Sequence, residues 1–348
     1  MDDNRVSSHS SLMNTVDAQV KAYIQDLSLG MFGLEQTEQV EVVNMFAGAY
    51  NLNYHVRVGD KDLNFRINIE QQSGLSDQIE YEYMALKYLD GRGIAPQTYY
   101  LDNSKKLINF GILIQEHLNG PHLSFAVEEI PEIAALLAKL HGLNPPRDLP
   151  WLSWDDPLAW NYQQVKGDLE SYEAKKTPDP QLVSFSRKLL KKCERIPLKY
   201  GHLFSADRLN HTDVVRDNFV TTDHGLRLID WEKPRLDDCS YDICCFLCEP
   251  AQLWCTHISD KVYSPAEREM FLQEYVKSSG IEMDELYEKV NIRMPLVALH
   301  WVLWGAGKLC DLRDGLTLPE LVAIHESKKH RYERLSDPAN VEKLLELF

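Results

Sequence analysis

The stretch from His211 to Asp242 constrains this chain more than any other part of it. It opens His211-Thr212-Asp213, places Asn218 five residues beyond Asp213, then reaches Leu228-Ile229-Asp230-Trp231-Glu232 and Tyr241-Asp242. Between the two blocks, Phe219 to Thr222, the turn formers Asp223-His224-Gly225 and Leu226 to Ile229 read as two strands joined by a turn. Such a hairpin carries Asn218 and Asp230 to the same end, where an amide oxygen and a carboxylate can share one hard cation. With Asp213 beside them, the set matches what phosphoryl transfer from ATP requires. One carboxylate orients an attacking hydroxyl and finally accepts its proton, and oxygen ligands hold magnesium against the phosphates. Asp and Asn are also ordinary turn residues, so the His-x-Asp block alone could be a polar loop. The apolar strand closing on Asp230 at hairpin distance argues against that.

Protein kinases assign these jobs to a catalytic-loop Asp, an Asn five residues on and a later Asp, the order found here. The stretch resembles the aminoglycoside phosphotransferase and choline kinase superfamily, whose signature runs H-x-D-x-x-x-x-N, a short hairpin, I-D-[WF]-E and a downstream Y-D or F-D. His211, Asp213, Asn218, Ile229, Asp230, Trp231, Glu232 and Asp242 carry the match. Thr212 departs from it, standing where Gly or Asn is usual, and Val214 and Val215 replace Leu and His or Gln. None of these is a group that must touch metal or phosphate. The resemblance implies an α+β, protein-kinase-like two-lobed fold with ATP in the cleft. Its N-lobe would be an antiparallel sheet plus a helix, and its C-lobe mainly helical. It further implies that Asp242 anchors the catalytic loop through buried hydrogen bonds and that His211 positions the loop's backbone rather than moving a proton.

Ahead of that block, residues 1–15 are polar and lack periodicity, which predicts a disordered tail. An N-lobe is expected over 16–117, with a hinge near 115–120, and a C-lobe over 118–348. A short helix is expected at Val16 to Leu29, and strands at Val40 to Phe46, Tyr54 to Val58 and Leu63 to Ile69. Gly48 to Tyr54, G-x-x-N-x-x-Y, is a plain hairpin by composition but resembles the glycine-rich loop of the choline kinase branch. That likeness puts Gly48 and Asn51 near the nucleotide. A Walker-type G-x-x-x-x-G-K-[ST] is absent, which excludes a P-loop. Arg66, on the third strand, is the cation available to neutralise phosphates, and Glu82, chosen over Glu80 on the following helix, the acid to brace it. Gly111 to Gly120 resembles a kinase hinge, so backbone groups at Gln115, Glu116 and His117 are expected to pair with adenine.

Beyond residue 118 the pattern is mostly helical, with helices expected at Ile133 to His141, Ala159 to Tyr172, Pro180 to Cys193, Pro265 to Lys277 and Glu282 to Val290. Pro295 to Leu312 and Leu318 to Leu335 follow as further helical parts. His141 reads as a structural histidine. Trp301 and Trp304, at i and i+3, share a helix face, and indole is the best partner for a quaternary ammonium. The pair resembles the choline cage of choline and ethanolamine kinases, which would put Trp301, Trp304, Glu232 and Tyr241 in the substrate pocket. Large aromatics on an apolar helix are equally well core residues.

The net charge of −16 argues against a nucleic-acid partner and suits a cationic small substrate, although acidity is also a plain solubility device. No run approaches the ~18 apolar residues of a membrane span, and no signal sequence opens the chain, so a cytoplasmic protein is expected. Seven cysteines fit a reducing compartment. Cys245-x-x-Cys248 has zinc-ligand spacing, but it lies in an apolar helical run where cysteine packs as a small hydrophobe. The expectation is a small-molecule kinase moving the γ-phosphate of Mg·ATP to an alcohol such as choline, ethanolamine or an aminoglycoside. The alternatives are a nucleotide-binding pseudokinase and a protein kinase. The second is disfavoured because Glu232 and Asp242 leave little room for an activation segment.

Overall fold

A computed structural model of the chain describes residues 18–35, 38–48, 50–71, 74–255 and 261–346. The tail expected at 1–15 lies outside the described residues. The chain divides into two compact units, Met1–Asn119 and Gly120–Phe348.

The first unit is built on a five-stranded sheet, ordered β1-β2-β3-β5-β4 with every pairing antiparallel. Its strands are β1 (Val40–Ala47), β2 (Asn51–Val58), β3 (Lys61–Asn68), β4 (Thr98–Asp102) and β5 (Gly111–Glu116). Side chains alternate between the two faces of a strand, and here the faces differ in chemistry. Leu52, Tyr54, Val56 and Val58 of β2 line up with Ile67, Phe65, Leu63 and Lys61 of β3. With Ile112 and Ile114, most of them form the buried core, which Val20, Tyr23 and Ile24 of a helical segment at 18–26 help to fill. The other face is polar: Asn51 opposes Asn68, Asn53 opposes Arg66, His55 opposes Asn64 and Arg57 opposes Asp62.

A helix at Gln78–Leu89, capped by Asp77 accepting from the Glu80 amide, packs on β4 and β5. Gly111 permits that approach, because a Cβ there would lie 2.5 Å from Ile79 Cγ2. β1 and β2 run closer to their turn than expected, so that only residues 48–50 lie between them. The Gly48 amide closes this turn on the Asn51 carbonyl at 2.9 Å.

Helices dominate the second unit. Ile130–His141 packs on Pro265–Ser279, and Met283–Asp314 packs on Pro157–Glu173, Ser240–Leu247 and Lys329–Leu335. Two antiparallel ladders sit among them: β6 (Arg208–Asn210) with β9 (Arg235–Asp237), and β7 (Phe219–Thr222) with β8 (Gly225–Leu228).

The stretches expected as helices at Glu282 to Val290 and Pro295 to Leu312 are one helix, Met283–Asp314, which runs through Pro295 without a break. A helical proline costs about 3 kcal/mol locally. Burial on both sides outweighs that, with Leu286, Val290 and Arg293 before it and Leu296, Val297, Leu299 and Trp301 after it. Arg293 also binds Asp237 at 2.7 Å and Lys289 binds Asp238 at 2.9 Å, tying the helix to the end of β9. The helical stretch expected at Leu318 to Leu335 is instead a short 3-10 turn followed by the helices Val322–Ser327 and Lys329–Leu335. Among the described residues no helix is long and apolar enough to cross a membrane.

Candidate active site

Asp242, fully buried in the helix Ser240–Leu247, holds the backbone of the loop at His211 and Thr212. Its carboxylate accepts the His211 amide on Oδ2 and the Thr212 amide on Oδ1, each at 2.7 Å. His141 Nε2 lies 3.2 Å from the same Oδ2, and its Nδ1 lies 2.8 Å from the Tyr275 hydroxyl. His141 is therefore a bridge between buried partners.

Thr212 has φ +70, a left-handed conformation strained for a β-branched residue. Such strain costs about 1–3 kcal/mol and persists only where the surroundings hold it. Here the Asp242 bond holds the amide, and Thr212 Oγ1 donates to the Lys233 carbonyl at 2.8 Å. From behind the loop, Cys245 Sγ reaches the Thr212 carbonyl at 3.6 Å. The same φ gives a physical reason for Gly or Asn at this point in the family signature.

His211 has both ring nitrogens engaged. Nε2 donates to the Ile229 carbonyl at 2.9 Å, which fixes the tautomer, and Nδ1 accepts the Asp213 amide at 3.3 Å. Its ring also meets Trp231 edge-on at 4.5 Å. This geometry suits holding Asp213 and Asp230 in register rather than moving protons.

Beyond the hairpin, the Ile229 amide bonds the Asn218 carbonyl at 2.9 Å, which brings the two ends together. Asp230 follows at φ +70, a region Asp tolerates better than most residues. One carboxylate oxygen each from Asp213, Asp230 and Glu232 lie within 4.8 Å of one another. Asn218 Nδ2 donates to the Asp213 carbonyl at 2.8 Å, so of its amide atoms Oδ1 is the one that could ligate a cation. Asp213 Oδ1 is buried with no hydrogen-bond partner among the described residues. Its other oxygen lies 3.9 Å from Lys233 Nζ. Burial pushes the Asp213 carboxyl up, Lys233 pulls it down and Asp230 pushes it up again. A convergent set of hard oxygen donors, one of them orphaned, fits a divalent cation.

The first unit places its expected nucleotide-binding residues on or beside the polar face. Arg66 Nε pairs with Glu82 at 2.9 Å, both nearly fully buried, whereas Glu80 is exposed. Arg66 Nη1 also donates to Asn53 Oδ1 at 3.4 Å, and Asn68 Nδ2 to Asn51 Oδ1 at 2.9 Å. Gln115 is buried on β5. The Glu116 amide already bonds the Gln97 carbonyl at 2.8 Å and the His117 amide the Asp62 carbonyl at 3.1 Å, so a nucleobase would need other groups of this stretch. The His117 ring stacks on His55 at 3.8 Å, and Phe46 stacks on its outer side at 6.0 Å.

In the second unit the residues expected to line a substrate pocket are heavily engaged. Tyr241 is buried against the Arg235 and Arg293 guanidinium groups, 3.9 and 5.1 Å from its ring centre. Trp301 Nε1 donates to Cys245 Sγ at 3.4 Å, which links this indole through Cys245 to the Thr212 carbonyl. Trp304 meets Trp254, Trp301 and Tyr332 edge-on at 5.0, 5.6 and 5.7 Å. Lys233, Trp254, Lys328 and Arg331 were missed in the sequence. Lys233 directly follows the acid-rich Asp230-Trp231-Glu232, the one signal that could have found it. The seven cysteines are all unpaired and buried, and His257 lies outside the described residues.

A model described as the phosphotransferase enzyme family matches residues 44–288. The chain belongs to that family. As a member of the phosphotransferase enzyme family it is a small-molecule kinase. A search of curated protein sequences finds no match. Among solved structures, a choline kinase from Cryptosporidium parvum Iowa II aligns with TM-score 0.61 at 17% identity, over 90% of this chain and 91% of that one. A Plasmodium vivax ethanolamine kinase aligns with TM-score 0.57 at 16% identity, over 88% and 83%. A spectinomycin phosphotransferase in complex with ADP and spectinomycin aligns with TM-score 0.56 at 14% identity, over 87% and 90%. At these identities the likeness is one of fold, and it is the mixed fold of an antiparallel sheet unit and a helical unit.

Proposed function

We propose that this phosphotransferase moves the γ-phosphate of Mg·ATP to a hydroxyl of a small metabolite. The observation that carries the reading is the meeting of Asp213, Asp230 and Glu232 within 4.8 Å, with Asp213 Oδ1 left unpaired. Asp213 orients the acceptor hydroxyl and takes its proton, and a carboxyl raised by burial suits a general base. Lys233, 3.9 Å away, acts against that rise and favours the ionised form. Asp230 and Asn218, with Glu232 beside them, would hold magnesium. The ion would supply neutralisation of charge on the phosphates.

Arg66, braced by Glu82, would hold the nucleotide phosphates, with Gly48 and Asn51 at the turn of the sheet and Gln115 to His117 beside the base. Asp242 and His211 position the loop that carries Asp213. The free, buried cysteines suit a reducing compartment, which supports a cytoplasmic site of action. A cationic alcohol, the acceptor class that the resemblance implies, would compete for the aromatic wall with Lys328 and Arg331.

The test is ADP release from Mg·ATP across a panel of small alcohols, run with wild type, Asp213→Ala and Asp230→Ala. The reading expects turnover with some acceptor that both variants lose. Near-wild-type turnover by either variant refutes the assignment. ATP bound but not consumed with any acceptor would favour a nucleotide-binding pseudokinase.

A further inference from the structure

The solvent face of the helix Pro180–Cys193 carries charge opposite to that of the chain as a whole. Leu182, Ser186, Leu189, Leu190 and Cys193 are its buried positions, and the helix packs on Pro157–Glu173 and Pro338–Glu346. At about 3.6 residues per turn, Arg187, Lys188, Lys191 and Lys192 fall on the side away from that core, and all four are exposed. Arg195 and Lys199 follow, exposed as well. The Lys199 amide donates to the Arg195 carbonyl at 3.1 Å, a helical turn that makes neighbours of the two side chains. Six of the chain's 37 basic residues and one of its 53 acids, Glu194, lie within 187–199, in a chain of net charge −16.

Acids answer two of the six. Arg187 forms a forked pair with Glu173 at 2.7 and 2.9 Å, and Lys191 lies 2.5 Å from Glu194. Lys188, Arg195 and Lys199 make no ion pair among the described residues. Cations in a last turn offset the helix dipole, which accounts for Lys191 and Lys192 but not for Lys188 or Lys199. Next to Lys199, and one turn from Arg195, stands Leu198 in the short helix Ile196–Tyr200. It is 91% exposed, the most of any large apolar residue among the described ones, ahead of Leu107 at 63%. A single exposed leucine is ordinary by itself. One set among unpaired cations suits a membrane surface, where headgroup phosphates take the charges and the acyl boundary takes the leucine. A nucleic acid would satisfy the cations alone.

We propose that the face formed by residues 187–199 docks the protein on an anionic phospholipid surface, with Leu198 entering the headgroup layer. The contact is peripheral, needs no membrane-crossing helix and does not depend on the kinase reading. At physiological salt, exposed charges more than about 8 Å from the contact are largely screened, so the local patch and not the net charge governs docking.

The test is co-sedimentation of the full chain with vesicles of phosphatidylcholine alone and of equimolar phosphatidylserine and phosphatidylcholine. Wild type should bind the mixed vesicles, leave them as salt is raised, and pass by phosphatidylcholine alone. A basic residue near such a surface contributes about fivefold, so Lys188→Gln, Arg195→Gln and Lys199→Gln together should weaken binding about a hundredfold. Lys188→Arg with Lys199→Arg, which keeps the charge, should bind as wild type does. Leu198→Ser should weaken binding about tenfold. The substituted positions are exposed, so unchanged melting temperatures show that lost binding is lost contact and not lost fold. Double-stranded DNA serves as the probe for a bare polyanion. Equal binding to the two kinds of vesicle, no binding to either, full binding by the triple glutamine variant or by Leu198→Ser, or tighter binding to DNA than to mixed vesicles overturns the proposal.

Discussion

Replacing Asp242 with Asn removes one charge and almost no volume, so it isolates what the carboxylate does for the catalytic loop. Asp242 accepts two backbone amides at 2.7 Å and lies 3.2 Å from His141 Nε2, all without access to water. An amide offers one acceptor oxygen and turns an NH2 donor toward the remaining N–H groups. At least one of the His211 and Thr212 amides is then left buried and unpaired. Hydrogen bonds to charged groups contribute about 1.5–3 kcal/mol each, and a stranded buried donor costs a further ~1–3 kcal/mol. We expect Asp242→Asn to destabilise the protein by about 3–5 kcal/mol, a large part of a typical total of about 5–15 kcal/mol. Urea unfolding of both proteins gives the difference. Amide exchange at His211 and Thr212 should speed up more than exchange in the helix Ile130–His141. Turnover should fall even at temperatures where the variant stays folded, because Thr212 loses one of the bonds that hold its strained backbone. A loss under about 1 kcal/mol, with unchanged exchange at both amides, would refute the role given to Asp242.

Asp213→Asn should lower turnover by about 10²–10⁴ with little effect on the melting temperature, since the loss is that of a general base. Asp213 has its carboxyl raised, so the rate should fall as pH drops through a value above the ordinary ~3.9 of Asp. Lys233→Met should move that acid limb to higher pH, because Lys233 is the group that lowers it, and a pH–rate profile reads the shift directly. Arg66→Ala breaks the buried ion pair with Glu82 and should cost about 3–5 kcal/mol in urea unfolding, whereas Glu80→Gln, on the exposed side of the same helix, should cost almost nothing. Burial, then the stacked His55, holds His117 down at about 4, so between that value and the ordinary ~6.5 the unfolded chain binds the extra proton. The stability due to His117 should be complete above about pH 6.5 and disappear as pH falls toward 4. His117→Gln should flatten that part of the stability–pH curve.

The parts of the fold legible in the sequence were those where local pattern and tertiary demand agree. Alternation along β2 and β3 marks a half-buried sheet, and the spacing of Asp213, Asn218 and Asp230 around a hairpin sets where its ends must meet. Thr212 was visible as a departure from a signature, but its cause, a positive φ, is a property of the folded backbone. That Glu282 to Val290 and Pro295 to Leu312 join into one helix was not legible, because a local breaker such as Pro295 carries no information about the burial on either side of it. Lys328 and Arg331 were invisible for the opposite reason. At the end of Val322–Ser327 and in Lys329–Leu335 they look like any solvated charges, and only tertiary packing sets them against Trp254. The Trp-x-x-Trp helix sits between these cases, since spacing placed both indoles on one side without saying what would cover them.

The unlike faces of the first unit's sheet bear on how that sheet assembles. A slip of one residue between β2 and β3 would bring every side chain of the moved strand to the opposite side. His55 and Arg57 would then enter the hydrocarbon layer, and Leu52, Tyr54 and Val56 would lie among asparagines. Each misaligned hairpin would strand several polar groups at once, so errors of pairing are driven back to solution before the rest of the chain can trap them.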